Sequence, residues 1–273
     1  SLGTASNPST QPVPHDLSQT PDDPTTLAVQ RALIEHITAL TPRPPRAADL
    51  EADALLVAAP QVAVYRTLVR DALVRAVTDF LPRSAARRGP AFAADLAAWI
   101  AVGGPRSRLL RDIPGEFLAF ITPRWHHDAP PWLAELAAHE LLEYRVAAAP
   151  SLPRGEPRPF SLDARLEFDA SATLIRHTHA VHLLSDDPDD RSEPEPSPVV
   201  LLAYRDDAHA VRFLQLTPLA EAVVTALLAG DTVAAAVQAG AAAESGPLDD
   251  DRLARISALL ADLADRKAIL GPV

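Results

Sequence analysis

The sequence predicts an α+β fold: an all-helical N-terminal domain, then a small antiparallel sheet, then three short helices. Three observations carry this reading. Tyr65, Leu68, Val69, Ala72, Leu73, Ala76, Val77, Phe80 and Leu81 keep to one helical face until Pro82. Two β-favouring runs, 199–204 and 211–216, flank the polar turn Arg205-Asp206-Asp207-Ala208 and read as a hairpin. Beyond it, Thr217-Pro218 offers an N-cap followed by proline at the first helical position, and Leu219, Ala222, Val223, Ala226 and Leu227 recur at the spacing of one buried helical face.

Taken in order, residues 1–26 are rich in Ser, Thr, Pro and Asp with few apolar side chains, the composition of a disordered tail. A helical domain is expected over 27–149, with segments at 27–40, 65–81, 92–100, 116–121 and 132–146. Prolines, a glycine and charges mark 150–162 as a linker. The remainder, 163–273, reads as one or two strands over 166–184, an acidic proline-punctuated loop over 185–198, the hairpin, and the three helices. Gly230 ends the first of those helices and Asp231 or Thr232 caps the second. Gly246-Pro247 breaks the chain before Asp249-Asp250-Asp251 opens the third at its positive dipole end, and Leu253, Ile256, Leu260 and Leu263 are expected to form its inner stripe.

A small sheet followed by three helices is the order of winged-helix modules, which read nucleic acid or peptide. Charge discriminates between the two. From 218 to 273 eight acids (Glu221, Asp231, Glu244, Asp249, Asp250, Asp251, Asp262, Asp265) face four bases (Arg252, Arg255, Arg266, Lys267). Over the whole chain 36 Asp and Glu stand against 25 Lys and Arg, a net charge of −11. Such a surface repels phosphates, which favours peptide as the ligand and argues against nucleic acid or anionic membrane. No apolar run reaches membrane-spanning length and no secretory signal pattern is evident, so a cytoplasmic location is expected.

Cysteine is absent, which removes disulfides, thiolate nucleophiles and Cys-based metal sites. Histidines offer the remaining chance of a metal. On a strand His177 and His179 would share a face and His182 would point to the other, and a surface strand with incidental histidines is the preferred reading. His139-Glu140-Leu141-Leu142-Glu143 begins like a zinc-protease helix but has glutamate where the second histidine belongs. His126-His127 reads as part of a loop, and Trp125 beside it as the most exposed of the tryptophans, whereas Trp99 and Trp132 read as core. Phosphate-binding glycine loops and nucleophile elbows are missing, so neither a catalytic nor a metal site is expected in this chain.

With these residues in view, the chain resembles the HvfC-like and MbnC-like family, partner proteins of multinuclear non-haem iron enzymes that modify ribosomally made peptides. The resemblance runs through Tyr65-Arg66, Phe80-Leu81-Pro82, Gly89 with Phe92, Ser107, Leu110, Asp112, Glu116-Phe117-Leu118, Pro131-Trp132-Leu133 and 137–140. It continues through Val181-His182, 201–205 and the strand-to-helix junction at 216–228, which also looks like the PqqD-type peptide-recognition element. Two positions depart from the pattern: Thr67 and Leu68 stand where the family often has asparagines, and Ala180 where it often has proline.

The resemblance implies a non-catalytic adaptor that binds no cofactor itself, pairs as a heterodimer with an enzyme that carries the iron, and captures a precursor's leader peptide. Strand addition along 211–216 is the expected mode, with Arg212, Phe213, Leu214, Gln215 and Leu216 as peptide-binding residues and Ile256 and Leu260 of the last helix completing an apolar floor. Tyr65, Arg66, Trp125 and His182 are the expected contacts to the enzyme. The alternative is a winged-helix transcription regulator, and a more distant one a hydrolase or metal enzyme built on the histidines.

Overall fold

The computed structural model describes residues 60–107, 109–150, 159–187, 189–244 and 249–273. The expected tail at 1–26, the helix at 27–40, most of the expected linker and the Gly246-Pro247 break lie outside these residues. The chain groups into two units, Ser1–Arg70 and Asp71–Val273, with helix α1 (Pro60–Thr78) crossing from one to the other. The second unit carries everything that follows.

Proline organises its helices by starting them. Pro82, expected only as a stop, occupies the first turn of a short helix α2 (Pro82–Arg88), and Pro90 does the same for α3 (Pro90–Ala101). Gly89 between them takes φ 60, a left-handed conformation that glycine reaches without steric cost. Helix α4 (Ile113–Asp128) runs well past the expected segment and contains Pro123, so His126 and His127 lie in its last turn rather than in a loop. Helix α5 (Pro131–Ala147) matches its sequence pattern.

Edge-to-face aromatic pairs fill the space between α3 and α4: Phe92 with Phe117 at 5.5 Å, Trp99 with Phe117 at 5.6 Å, and Phe117 with Trp125 at 6.3 Å. Trp99 and Trp132 are buried as expected, but the exposed Trp125 anticipated from its polar neighbours is overturned. Its side chain is fully buried and its Nε1 donates to Asp95 Oδ2 at 2.8 Å. The helix explains the reversal: Phe117, Ile121 and Trp125 share the inner face, while His126, His127 and Asp128 turn outward. Trp125 therefore presents no exposed surface here for the contact expected with an enzyme partner. The same Asp95 oxygen accepts Arg88 Nε at 2.9 Å, and Arg88 Nη1 donates to the Asp128 carbonyl at the C-terminal end of α4 at 3.1 Å. Asp95→Ala strands both the indole N–H and the guanidinium and is expected to destabilise the fold by about 3 kcal/mol in urea unfolding, against about 1 kcal/mol for the exposed partner change Asp128→Ala.

Past the linker region, β1 (Leu166–Phe168) pairs antiparallel with a C-terminal strand, β5 (Ile269–Pro272), which the sequence presents only as an apolar tail. Strands β2 (Thr173–His179), β3 (Pro196–Arg205) and β4 (Val211–Leu216) form a separate antiparallel sheet in the order β2-β3-β4. The expected hairpin is present, with Val200 opposite Leu216 and Arg205 opposite Val211. Helices α6 (Pro218–Leu228), α7 (Val233–Ala243) and α8 (Asp250–Asp265) follow. Thr217, Thr232 and Asp249 cap them, accepting from the N–H groups of Ala220, Ala235 and Arg252 respectively. Gly240 lets α6 and α7 approach closely, since a Cβ there would meet Val223 Cγ2 at 2.5 Å.

The three-stranded sheet is covered on both faces. Leu202, Tyr204 and Leu216 join Leu219, Val223, Val224, Ile256 and Leu263 in one apolar core. The opposite face, with His177, Val199, Leu201, Ala203 and Phe213, receives α5, which packs against β2, β3 and β4. Arg205 fastens that layer, its Nη1 donating to the carbonyls of Ala147 and Ala149 at the end of α5 at 3.0 and 2.7 Å. Leu253 departs from its expected place on the inner stripe of α8, at 40 % exposure, whereas Arg252 beside it is buried and faces Glu244.

Candidate functional site

Strand β4 is an edge strand, and its backbone polarity follows from the turn. Asp206 N–H donates to the Ala210 carbonyl at 3.0 Å, one pair beyond Arg205 and Val211 in the same register. Antiparallel ladders alternate, so Arg212, Leu214 and Leu216 turn their backbone groups toward β3, and Val211, Phe213 and Gln215 turn theirs outward. Arg205 agrees with this count, because its N–H points away from β4 and donates to Ser171 Oγ at 2.8 Å. Among the described residues none hydrogen-bonds the outward N–H groups of Val211, Phe213 and Gln215.

The other edge is treated differently. Glu135 of α5 accepts the N–H groups of Thr178 and His179 at 2.8 and 3.1 Å and also binds the Thr178 hydroxyl, so β2 is closed at that end by a side chain. Burial pushes the Glu135 carboxyl up, but these hydrogen bonds outweigh it and hold the group below the usual range.

The expected peptide-binding residues divide along β4. Gln215 and Arg212 are exposed, and Arg212 already pairs with Asp206 Oδ2 of its own hairpin at 2.7 Å. Phe213 packs its ring against His139 at 4.5 Å between centroids. Leu214 is half-buried against the core, and Leu216 belongs to it at 8 % exposure. Ile256, at 1 % exposure, is core and not a groove floor. Leu260 lines a recess with Phe160, Leu166, Ile269 and Pro272, beside the β1–β5 pair. The apolar floor foreseen beneath 211–216 is thus replaced by closed packing, because Leu216 and Ile256 are consumed by the core that builds the module.

The two histidine motifs, treated separately in the sequence, meet between α5 and the sheet. His139 Nδ1 lies 3.2 Å from His177 Nε2, with the residues only 2 % and 3 % exposed. His177 is therefore a buried residue, which corrects the surface-strand reading, and His182 lies on a 3-10 turn (Val181–Leu183) rather than on the strand. His182 is half-buried, and its buried Nδ1 has no hydrogen-bond partner among the described residues. Burial and the neighbouring His177 and Arg83 push His139 down to about 3, while burial lowers His177 and His182.

The carboxylates of the zinc-protease-like pentapeptide are spent structurally. Glu140 accepts the N–H groups of Arg83 and Ser84 at 2.6 and 3.0 Å and the Ser84 hydroxyl, closing the first turn of α2. Glu143 lies 3.1 Å from Arg83 Nη2 and 3.5 Å from His139 Nε2. Burial raises the Glu143 carboxyl above its usual range against the opposing pull of Arg83. Among the described residues no group of three or more His, Asp or Glu side chains is arranged to hold a metal ion. Tyr65 and Arg66 lie on α1, where their side chains fall outside the described set.

The part of the chain that contains the open edge has a known counterpart. Residues 171–264 match the HvfC C-terminal domain. This HvfC match begins just ahead of β2, takes in the whole three-stranded sheet with α6 and α7, and ends inside α8, about a third of the chain. No curated protein matches the chain. The edge could be found from sequence by the hairpin signal alone; the pairing of His139 with His177 could not, since it depends on how α5 lies across the sheet.

Proposed function

We propose that this protein is a non-catalytic partner of an iron-dependent peptide-modifying enzyme and that it captures the leader of the precursor peptide by strand addition along β4. The observation that supports this most is the outward row of backbone donors and acceptors at Val211, Phe213 and Gln215, on the unpaired side of a sheet whose other edge is plugged by Glu135. An extended peptide satisfies such a row, gaining main-chain hydrogen bonds from the edge and specificity from alternate side chains on the two faces. The HvfC C-terminal domain match over this sheet fits an adaptor role, and the net charge of −11 disfavours duplex nucleic acid as the ligand.

Arg212 is the polar contact in this reading. A leader carboxylate would compete with Asp206 for its guanidinium, so Arg212→Glu should weaken leader binding about tenfold and leave the fold intact. The iron resides in the enzyme, with none in this chain. Metal analysis of the purified protein alone should find far less than one iron or zinc per chain, and the isolated protein should leave the precursor peptide unmodified. One metal per chain, lost in a His139→Ala, His177→Ala double variant, would overturn the non-catalytic reading.

A further inference from the structure

We infer that the His139–His177 pair is a proton-sensitive clasp joining α5 to the sheet, closed while at least one imidazole is neutral and released when both are protonated. The inference stands whether or not β4 binds peptide.

Geometry carries it. The two ring nitrogens face each other at 3.2 Å, one imidazole on α5 and the other on β2, in a layer that solvent scarcely reaches. With both rings neutral, one nitrogen donates and the other accepts. One added proton enters at a distal nitrogen, His139 Nε2 or His177 Nδ1, and leaves the facing bond in place; a second makes the facing nitrogens two donors with no acceptor between them. The charge would also be taken up in a buried place.

The surrounding groups give a second charge little relief. From α5, Glu143 faces His139 Nε2 at 3.5 Å but is already held by Arg83, and burial raises its carboxyl so that falling pH removes its charge. Glu135, also from α5, stands 3.9 Å from His177 Nδ1 and is committed to Thr178 and His179. Arg83 from α2 adds positive charge, although it is paired with Glu140, Glu143 and the exposed Asp186. His182 on the 3-10 turn and His179 beyond the bulge in β2 are the remaining titratable neighbours. Phe213 of the edge strand rests on the His139 ring, so release of the clasp would also loosen the packing of β4.

The direction follows from linkage. His139 is held at about 3 in the folded chain, below the ordinary 6.5 of a histidine, so between these values the unfolded chain binds more protons. Stability is complete above pH 6.5 and is lost as pH falls below it. For His139 alone the folding equilibrium constant should fall roughly thirtyfold from pH 7.5 to 5.0.

Urea unfolding of the full chain at these two pH values tests the clasp, using His139→Asn and His177→Gln, whose amides keep a neutral hydrogen-bonding group near the ring nitrogen each replaces. The fall should be thirtyfold or more in the wild type and at least tenfold smaller in the double variant. An equal fall in both overturns the inference. If the double variant fails to fold, imidazole NMR of the wild type at pH 5.5 decides: at least one of His139 and His177 neutral in the folded protein supports the clasp, and both rings charged with α5 still packed on the sheet overturns it.

Discussion

Replacing Glu140 with alanine is expected to destabilise the protein by about 4 kcal/mol, lowering its melting temperature by roughly 10 °C. The carboxylate is 3 % exposed and takes two backbone N–H groups at the start of α2, the Ser84 hydroxyl and the Arg83 guanidinium at 3.5 Å. Removing it leaves buried donors without acceptors and an arginine, 8 % exposed at its side chain, with less counter-charge. Glu143→Ala on the same helix is the control. That carboxylate is 40 % exposed at its side chain, and its loss should cost about 1 kcal/mol because water can replace it. Chemical denaturation of the two variants side by side checks the contrast, and equal small losses would mean that Glu140 does not hold α2 in place.

This result also bears on what the sequence can reveal. His139-Glu140-Leu141-Leu142-Glu143 looks like interrupted metal chemistry because spacing along one helix is all that a sequence displays. What Glu140 binds lies on α2, a helix legible only if Pro82 and Pro90 are read as starts instead of stops. Local signals were dependable where the physics is local. Thr217-Pro218, Asp231-Thr232 and Asp249 mark the helix caps, and the two β-favouring runs around the polar turn at 205–208 mark the hairpin.

Signals that depend on tertiary partners were not legible. Trp125 sits among polar neighbours in sequence, yet helical geometry turns it inward onto Asp95. Strand β5 has only the composition of an apolar tail, because its pairing with β1 spans almost the whole C-terminal half. The apolar residues chosen to floor a peptide groove, Leu216 and Ile256, are those best suited to a core, and the core takes them.

The second large effect concerns the edge itself, where two adjacent prolines should have opposite consequences. Leu214 turns its N–H toward β3, so Leu214→Pro removes a rung of the hairpin, and a loss of about 3 kcal/mol in stability is expected whether or not a peptide is present. Gln215 is exposed and turns its N–H outward, a position where an edge strand tolerates proline. Gln215→Pro should therefore fold with a near-normal melting temperature while losing one donor to an incoming strand and placing its ring against it. Leaving the peptide carbonyl unpaired there corresponds to about 2–3 kcal/mol, roughly a hundredfold in affinity.

Titration calorimetry of the wild type and Gln215→Pro with a synthetic leader peptide, each protein first shown to be folded by circular dichroism, is the most direct measurement of the proposed role. The strand-addition account predicts that the folded Gln215→Pro variant binds the leader about a hundredfold more weakly than the wild type. Equal affinity in the two folded proteins would contradict it and remove β4 from the binding site.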